Sequence, residues 1–123
     1  MSSKKILFAK KFNEKLFEFL GQVISMYPQQ TELKSVRTQL RMGVMAKETL
    51  PIESFQKYLV QQFASKIEAK DEDFFLSFDV SGTALESLSF MKNMYKDATE
   101  GTKTALWQYV QLLTKISQRY STM

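Results

Sequence analysis

Along most of the chain, apolar residues recur three and four positions apart, the spacing that lines one side of an α-helix. A first helix is expected over Ser3–Met26, where Phe8, Phe12, Leu16, Leu20 and Val23, continuing to Tyr27, share a face. Phe17, Phe19 and Ile24 widen that face, so this helix should either be central or present a second apolar edge. Pro28 ends it, because proline disfavours helical geometry in the residue before it. Thr31 is placed to cap a second helix, with Glu32 in its first turn, where the helix dipole favours an anion. Leu33, Val36, Leu40 and Val44 are its expected buried stripe, and Gly43 should weaken its end.

Thr49-Leu50-Pro51 restarts the chain, with proline tolerated in a first turn. Ile52, Phe55, Leu59, Phe63 and Ile67 give the third helix its face. Four charges, Lys70-Asp71-Glu72-Asp73, interrupt the pattern, and Phe74-Phe75-Leu76 after them suits a plug at the end of a bundle. Ser81-Gly82-Thr83 is a turn signal, and Thr83 with Glu86 matches a capping box. A fourth helix is expected over residues 84–96, with Leu85, Leu88, Met91 and Tyr95 inward. Thr99 opens a fifth, in which Leu106, Tyr109, Val110, Leu113, Ile116 and Tyr120 form the most regular stripe. Breaks this short favour antiparallel neighbours. The pattern predicts an all-α fold: one domain over residues 1–123, a compact bundle of about five helices, mostly antiparallel neighbours.

Composition agrees with that picture and removes much chemistry from it. The 123 residues suit one core, and 44% hydrophobic with 13% aromatic residues is enough to fill it. Ten Phe and seven Met imply a core that is well filled and adaptable. With no Cys there are no disulfides, thiol nucleophiles or iron–sulfur ligands. With no His, the commonest general base and metal ligand is missing too. The expectation is a non-enzyme, without catalytic residues, cofactor or small-molecule substrate. No apolar run approaches bilayer length. The start, Met1-Ser2-Ser3-Lys4-Lys5, lacks the apolar stretch of a signal peptide, and Glu14 and Glu18 do not suit a mitochondrial presequence.

Charge is unevenly distributed. Residues 1–70 hold 12 Lys and Arg against 6 Asp and Glu, a net of +6; residues 71–123 hold 5 against 7, a net of −2. Lys34, Arg37 and Arg41 share a face of the second helix, as do Lys4, Lys11 and Lys15 on the first. Two such stripes are candidate contacts to a phosphate backbone, with solvated helix faces as the simpler explanation. Asp71-Glu72-Asp73 is too sparse for a calcium loop, since Phe75 and Ser77 stand where further ligands belong. Asp71 and Asp73 are better read as turn caps, and no metal site is expected. Phe17, Phe19 and Trp107 are the candidate interface residues, because a short bundle cannot easily cover so much apolar surface.

Three stretches taken together resemble a small helical family of nucleocytoplasmic large DNA viruses, of the marseillevirus, mimivirus and phycodnavirus type. They are Phe12-Asn13-Glu14-Lys15-Leu16-Phe17-Glu18-Phe19-Leu20, Lys70-Asp71-Glu72-Asp73-Phe74-Phe75-Leu76, and Leu106-Trp107-Gln108-Tyr109-Val110-Gln111-Leu112-Leu113. The resemblance implies a viral protein without an assigned activity, located in host cytoplasm, in a viral factory or within the virion; a nuclear location is also compatible. It brings no catalytic residue. The combined expectation is a non-catalytic interaction protein, homodimeric or bound to another viral or host protein. The alternative is a nucleic-acid-binding accessory protein that uses its basic N-terminal half.

Overall fold

The computed structural model describes residues 3–77 and 91–123, and among them it contains helices and no strands. In chain order these are α1 (Ser3–Met26), α2 (Thr31–Ala46), α3 (Leu50–Phe55), a π turn (Gln56–Val60), α4 (Gln61–Glu68), α5 (Glu72–Ser77), α6 (Met91–Lys96) and α7 (Glu100–Ser121). The fold is all-α and compact, as the apolar periodicity requires. The expected Ser81–Thr83 turn, the Thr83–Glu86 capping box, inward Leu85 and Leu88 and the first half of the fourth helix lie outside the described residues. So does the side chain of Met91.

Two long helices set the frame. α1 and α7 run antiparallel: Lys5 sits over the ring of Tyr120, while Phe19 stacks on Tyr109 at 5.1 Å. α2 folds back along another side of α1, with Arg41 over Phe17 and the Glu48 carbonyl accepting from Asn13 Nδ2 at 2.9 Å. α3 fits between them and closes the core, its Phe55 meeting Phe12 edge-on at 5.3 Å. Ala9, Phe12, Phe19, Val23, Leu33, Ile52, Met94, Leu113, Ile116 and Tyr120 form this core. Apolar burial on this scale is the main favourable term in holding a small domain together.

The expected third helix is present but interrupted. The ladder widens to a π turn at Gln56–Val60, and Phe63 leaves helical geometry at φ −132°. Both irregularities have a packing counterpart. The π turn brings Gln56 Oε1 to the hydroxyl of Ser117, which is fully buried on α7, so the polar group is satisfied where water cannot reach it. The bend at Phe63 sets its ring against Phe74 at 5.0 Å. Lys70 then adopts φ 53°, and the Asp71 N–H reaches back to the Lys66 carbonyl at 3.0 Å, closing α4 in a left-handed cap. From α7, Gln111 Nε2 donates to the carbonyls of Ile67 and Glu68 and so ties the end of α4 to α7; the Ile67 carbonyl also accepts from the Lys70 N–H at 3.1 Å.

Several local expectations change. The cap of α2 is Gln30 rather than Thr31, and it makes no side-chain bond. Gly43 lies in the last turn of α2, which continues to Ala46, and its carbonyl accepts from the Lys47 N–H at 2.9 Å. Phe74-Phe75-Leu76 lies within the six-residue helix α5, started by Asp71 Oδ1 accepting from the Phe74 N–H at 2.9 Å. Thr99 caps α7 as its position implies, accepting from the Thr102 N–H at 3.2 Å.

Candidate interaction surface

The three candidate interface residues have different fates. Phe19 is buried, and its ring is stacked inside the α1–α7 contact, so it is a core residue and not an outer anchor. The width that marked it in the sequence is taken up by α7 on one flank of α1 and α2 on the other. Phe17 is half-buried at the α1–α2 seam beneath Arg41. Trp107 is half-buried, and its Nε1 donates to Tyr95 Oη at 2.8 Å. Phe75 and Tyr95 both stand edge-on to it and are tilted to each other, and Lys103 lies over Tyr95, tied to Glu72 at 3.2 Å. Glu72 and the nearby Glu100 hold the Lys103 ammonium above the usual lysine range.

The acidic triplet is engaged in structure. Besides capping α5, Asp71 lies 3.6 Å from Lys66, while Glu72 pairs with Lys103. Among the described residues no three acidic side chains converge as a metal site would require. Nor is any described helix long and apolar enough to cross a membrane.

Both basic stripes lie on helix surfaces but do not join. Lys4 and Lys11 are exposed; Lys15 is half-buried and paired with Glu18 at 3.3 Å. The Glu18 carboxylate also accepts from Tyr109 Oη at 2.9 Å, and these bonds hold its pKa below the ordinary carboxylate value. At 100° per residue, Lys4, Lys11 and Lys15 fall about 120–160° around α1 from Phe17, the ring that Arg41 covers. The Lys34, Arg37 and Arg41 stripe therefore faces a different direction.

The feature missed in the sequence is apolar. Met45 is 87% exposed and Met42 65%, and the two lie one turn apart on the outer side of α2; Leu50, 41% exposed, begins α3. Leu50 lies on another side of α2: a Cβ at Gly43 would come within 3.2 Å of Leu50 Cδ2, and at 100° per residue Gly43 falls about 160° around α2 from Met45. A signal existed. Met42 and Met45 fall off the Leu33, Val36, Leu40 and Val44 stripe, so the helix that buries that stripe must expose them.

Under this corner lies a polar network. Lys47 Nζ meets Glu53 Oε2 at 2.9 Å, and Tyr120 Oη donates to Glu53 Oε1 at 3.3 Å. The bond from Lys47 holds the Glu53 carboxyl below its ordinary value, while burial, then the Glu53 charge, raises the Tyr120 phenol. A depressed folded-state pKa stabilises the native state above the unfolded value, and that gain disappears as pH falls through the folded value. Stability followed by urea unfolding should therefore decline below about pH 4.3, the ordinary Glu value. Glu53→Gln should make that decline shallower; an unchanged acid limb would show that the Lys47 pair contributes nothing.

The fold and this surface define a small all-α bundle with an uncovered apolar corner beside a cationic helix face. Comparison with protein-family models, curated proteins and solved structures finds no match to the chain.

Proposed function

We propose that this chain is a non-catalytic interaction protein whose working surface is the outer side of α2 and the α2–α3 corner. The observation that carries the reading is the exposure of Met42 and Met45 side by side on α2, opposite the buried Leu33 and Val36. Contiguous apolar surface of this kind marks association sites, and methionine, being flexible and polarisable, suits surfaces that adapt to a partner. The large-DNA-virus setting, with cytoplasm, viral factory or particle as its place, belongs to this proposal and rests on the three-stretch resemblance alone.

The test is affinity purification from cells infected with a large DNA virus, using wild-type protein and the Met42→Ser/Met45→Ser variant, with and without nuclease. A nuclease-resistant partner retained by the wild type and lost by the variant is expected. Capture that vanishes with nuclease would favour the nucleic-acid reading instead. Equal retention by both proteins would remove the corner from consideration.

Homodimerisation is a second reading, favoured by a separate observation. Trp107 sits half-buried in the first half of α7, beside Phe75 of α5 and Tyr95 of α6. Half-buried tryptophans are frequent interface anchors, and a two-fold pairing there would leave the α2 face free. Sedimentation equilibrium should show a dimer weakened by Trp107→Ala. A strict monomer at high concentration would eliminate the dimer without touching the α2 reading.

A further inference from the structure

Three properties coincide on α2. Its inward side is fixed by Leu33 and Val36, both buried. Lys34, Thr38, Arg41 and Met45 follow one another at helical spacing on the outer side, with Arg37 and Met42 flanking them. Among the described residues no carboxylate forms an ion pair with Lys34, Arg37 or Arg41. By contrast Lys15, Lys47, Lys66 and Lys103 all have one. One helix thus carries a row of uncompensated cations that leads directly into exposed methionines.

Resting on the interaction reading above, we infer that this face docks an acidic amphipathic helix of a partner protein. Apolar side chains of that helix seat on Met42 and Met45, and its carboxylates meet Lys34, Arg37 and Arg41. Charge complementarity selects this occupant. A second copy docked symmetrically through the same face would set these cations against themselves, and like charges opposed across an interface are costly. A nucleic acid would use the cations, yet phosphates gain nothing from the methionines. The Lys4, Lys11 and Lys15 stripe that would extend such a track faces elsewhere. Helix-on-helix docking uses both halves of the surface: apolar anchors supply affinity, and the flanking charges supply orientation and encounter rate.

The probe is a fluorescein-labelled peptide as long as α2, with leucines at helical spacing and glutamates flanking them. A scrambled peptide of identical composition and a short DNA duplex are the comparisons. The amphipathic peptide should bind the full-length chain, more weakly as salt rises. Met42→Ser/Met45→Ser and Arg37→Glu/Arg41→Glu should each weaken it about tenfold or more, whereas Lys11→Glu should not. All these positions except half-buried Arg37 are exposed, so the variants should remain folded, which circular dichroism checks. Equal binding of the scrambled peptide, indifference to the methionine substitutions, or displacement by duplex DNA would overturn the inference. Should the amphipathic peptide fail while Met42→Ser/Met45→Ser still loses a nuclease-resistant partner from cells, the partner chemistry is wrong and the interaction reading survives. If both fail, both are wrong.

Discussion

Phe12→Ala should lower the unfolding free energy by about 3–5 kcal/mol, a large part of the 5–15 kcal/mol or so that holds a typical domain folded. Phe12 is fully buried on the side of α1 that faces the core, one turn from fully buried Ala9. Its ring stands edge-on to Phe55 at 5.3 Å and so links α1 to α3. Removing it leaves a cavity where no single neighbour can collapse, because α1 is held on its flanks by the Phe19–Tyr109 stack and the Asn13–Glu48 bond. Phe12→Leu keeps most of the volume and loses chiefly the ring pair, so its cost should be nearer 1 kcal/mol. Leu7→Ala, at a position 63% exposed on the same helix, should stay within about 0.5 kcal/mol. Urea unfolding of the three variants measures the series. A Phe12→Ala loss no larger than that of Leu7→Ala would mean that the α1–α3 contact is not the centre of the core.

The fold was legible because helix periodicity reports burial directly. On α7 the stripe from Leu106 to Tyr120 predicts the face that packs against α1, and its buried members Leu113, Ile116 and Tyr120 are among those foreseen. The π turn was not legible, because the contact that accompanies it, Gln56 Oε1 accepting from the buried Ser117 hydroxyl, lies 61 residues away. Periodicity carries no term for a tertiary hydrogen bond. Surface was harder still. Phe19 and Phe17 are two residues apart and equally apolar, yet one is core and the other lies at a seam, because α7 and α2 approach α1 from different sides. Trp107 at the edge of its stripe hinted at an anchor, and its indole proved to have a specific internal partner in Tyr95. The methionine corner is hard to read from sequence because Met by composition suits a core. What places it outside is the phase of α2, which Leu33 and Val36 decide.

That dependence gives the second large effect. Leu33→Ala should cost about 2–5 kcal/mol, and the loss should concentrate in α2. This helix has few attachments: Leu33 and Val36 are its buried residues, Leu40 and Val44 are half-buried, and its N-cap makes no side-chain bond. The Thr38 hydroxyl bonds back to the Lys34 carbonyl within the same helix, which adds no tie to the bundle. Segments held by few buried contacts open at free energies below that of global unfolding. Amide hydrogen exchange in Leu33→Ala should therefore speed up across α2 while the centres of α1 and α7 keep protection well above it. The docking surface provides an independent readout. Every side chain that would touch an acidic helix is unchanged in this variant, but the face exists only while α2 is packed. Apparent affinity for the amphipathic peptide should then fall in proportion to the fraction of molecules with α2 closed, as hydrogen exchange measures it. Loss of protection spread evenly over α1, α2 and α7 would show one cooperative unit. Unchanged peptide affinity despite an open α2 would place the binding face elsewhere.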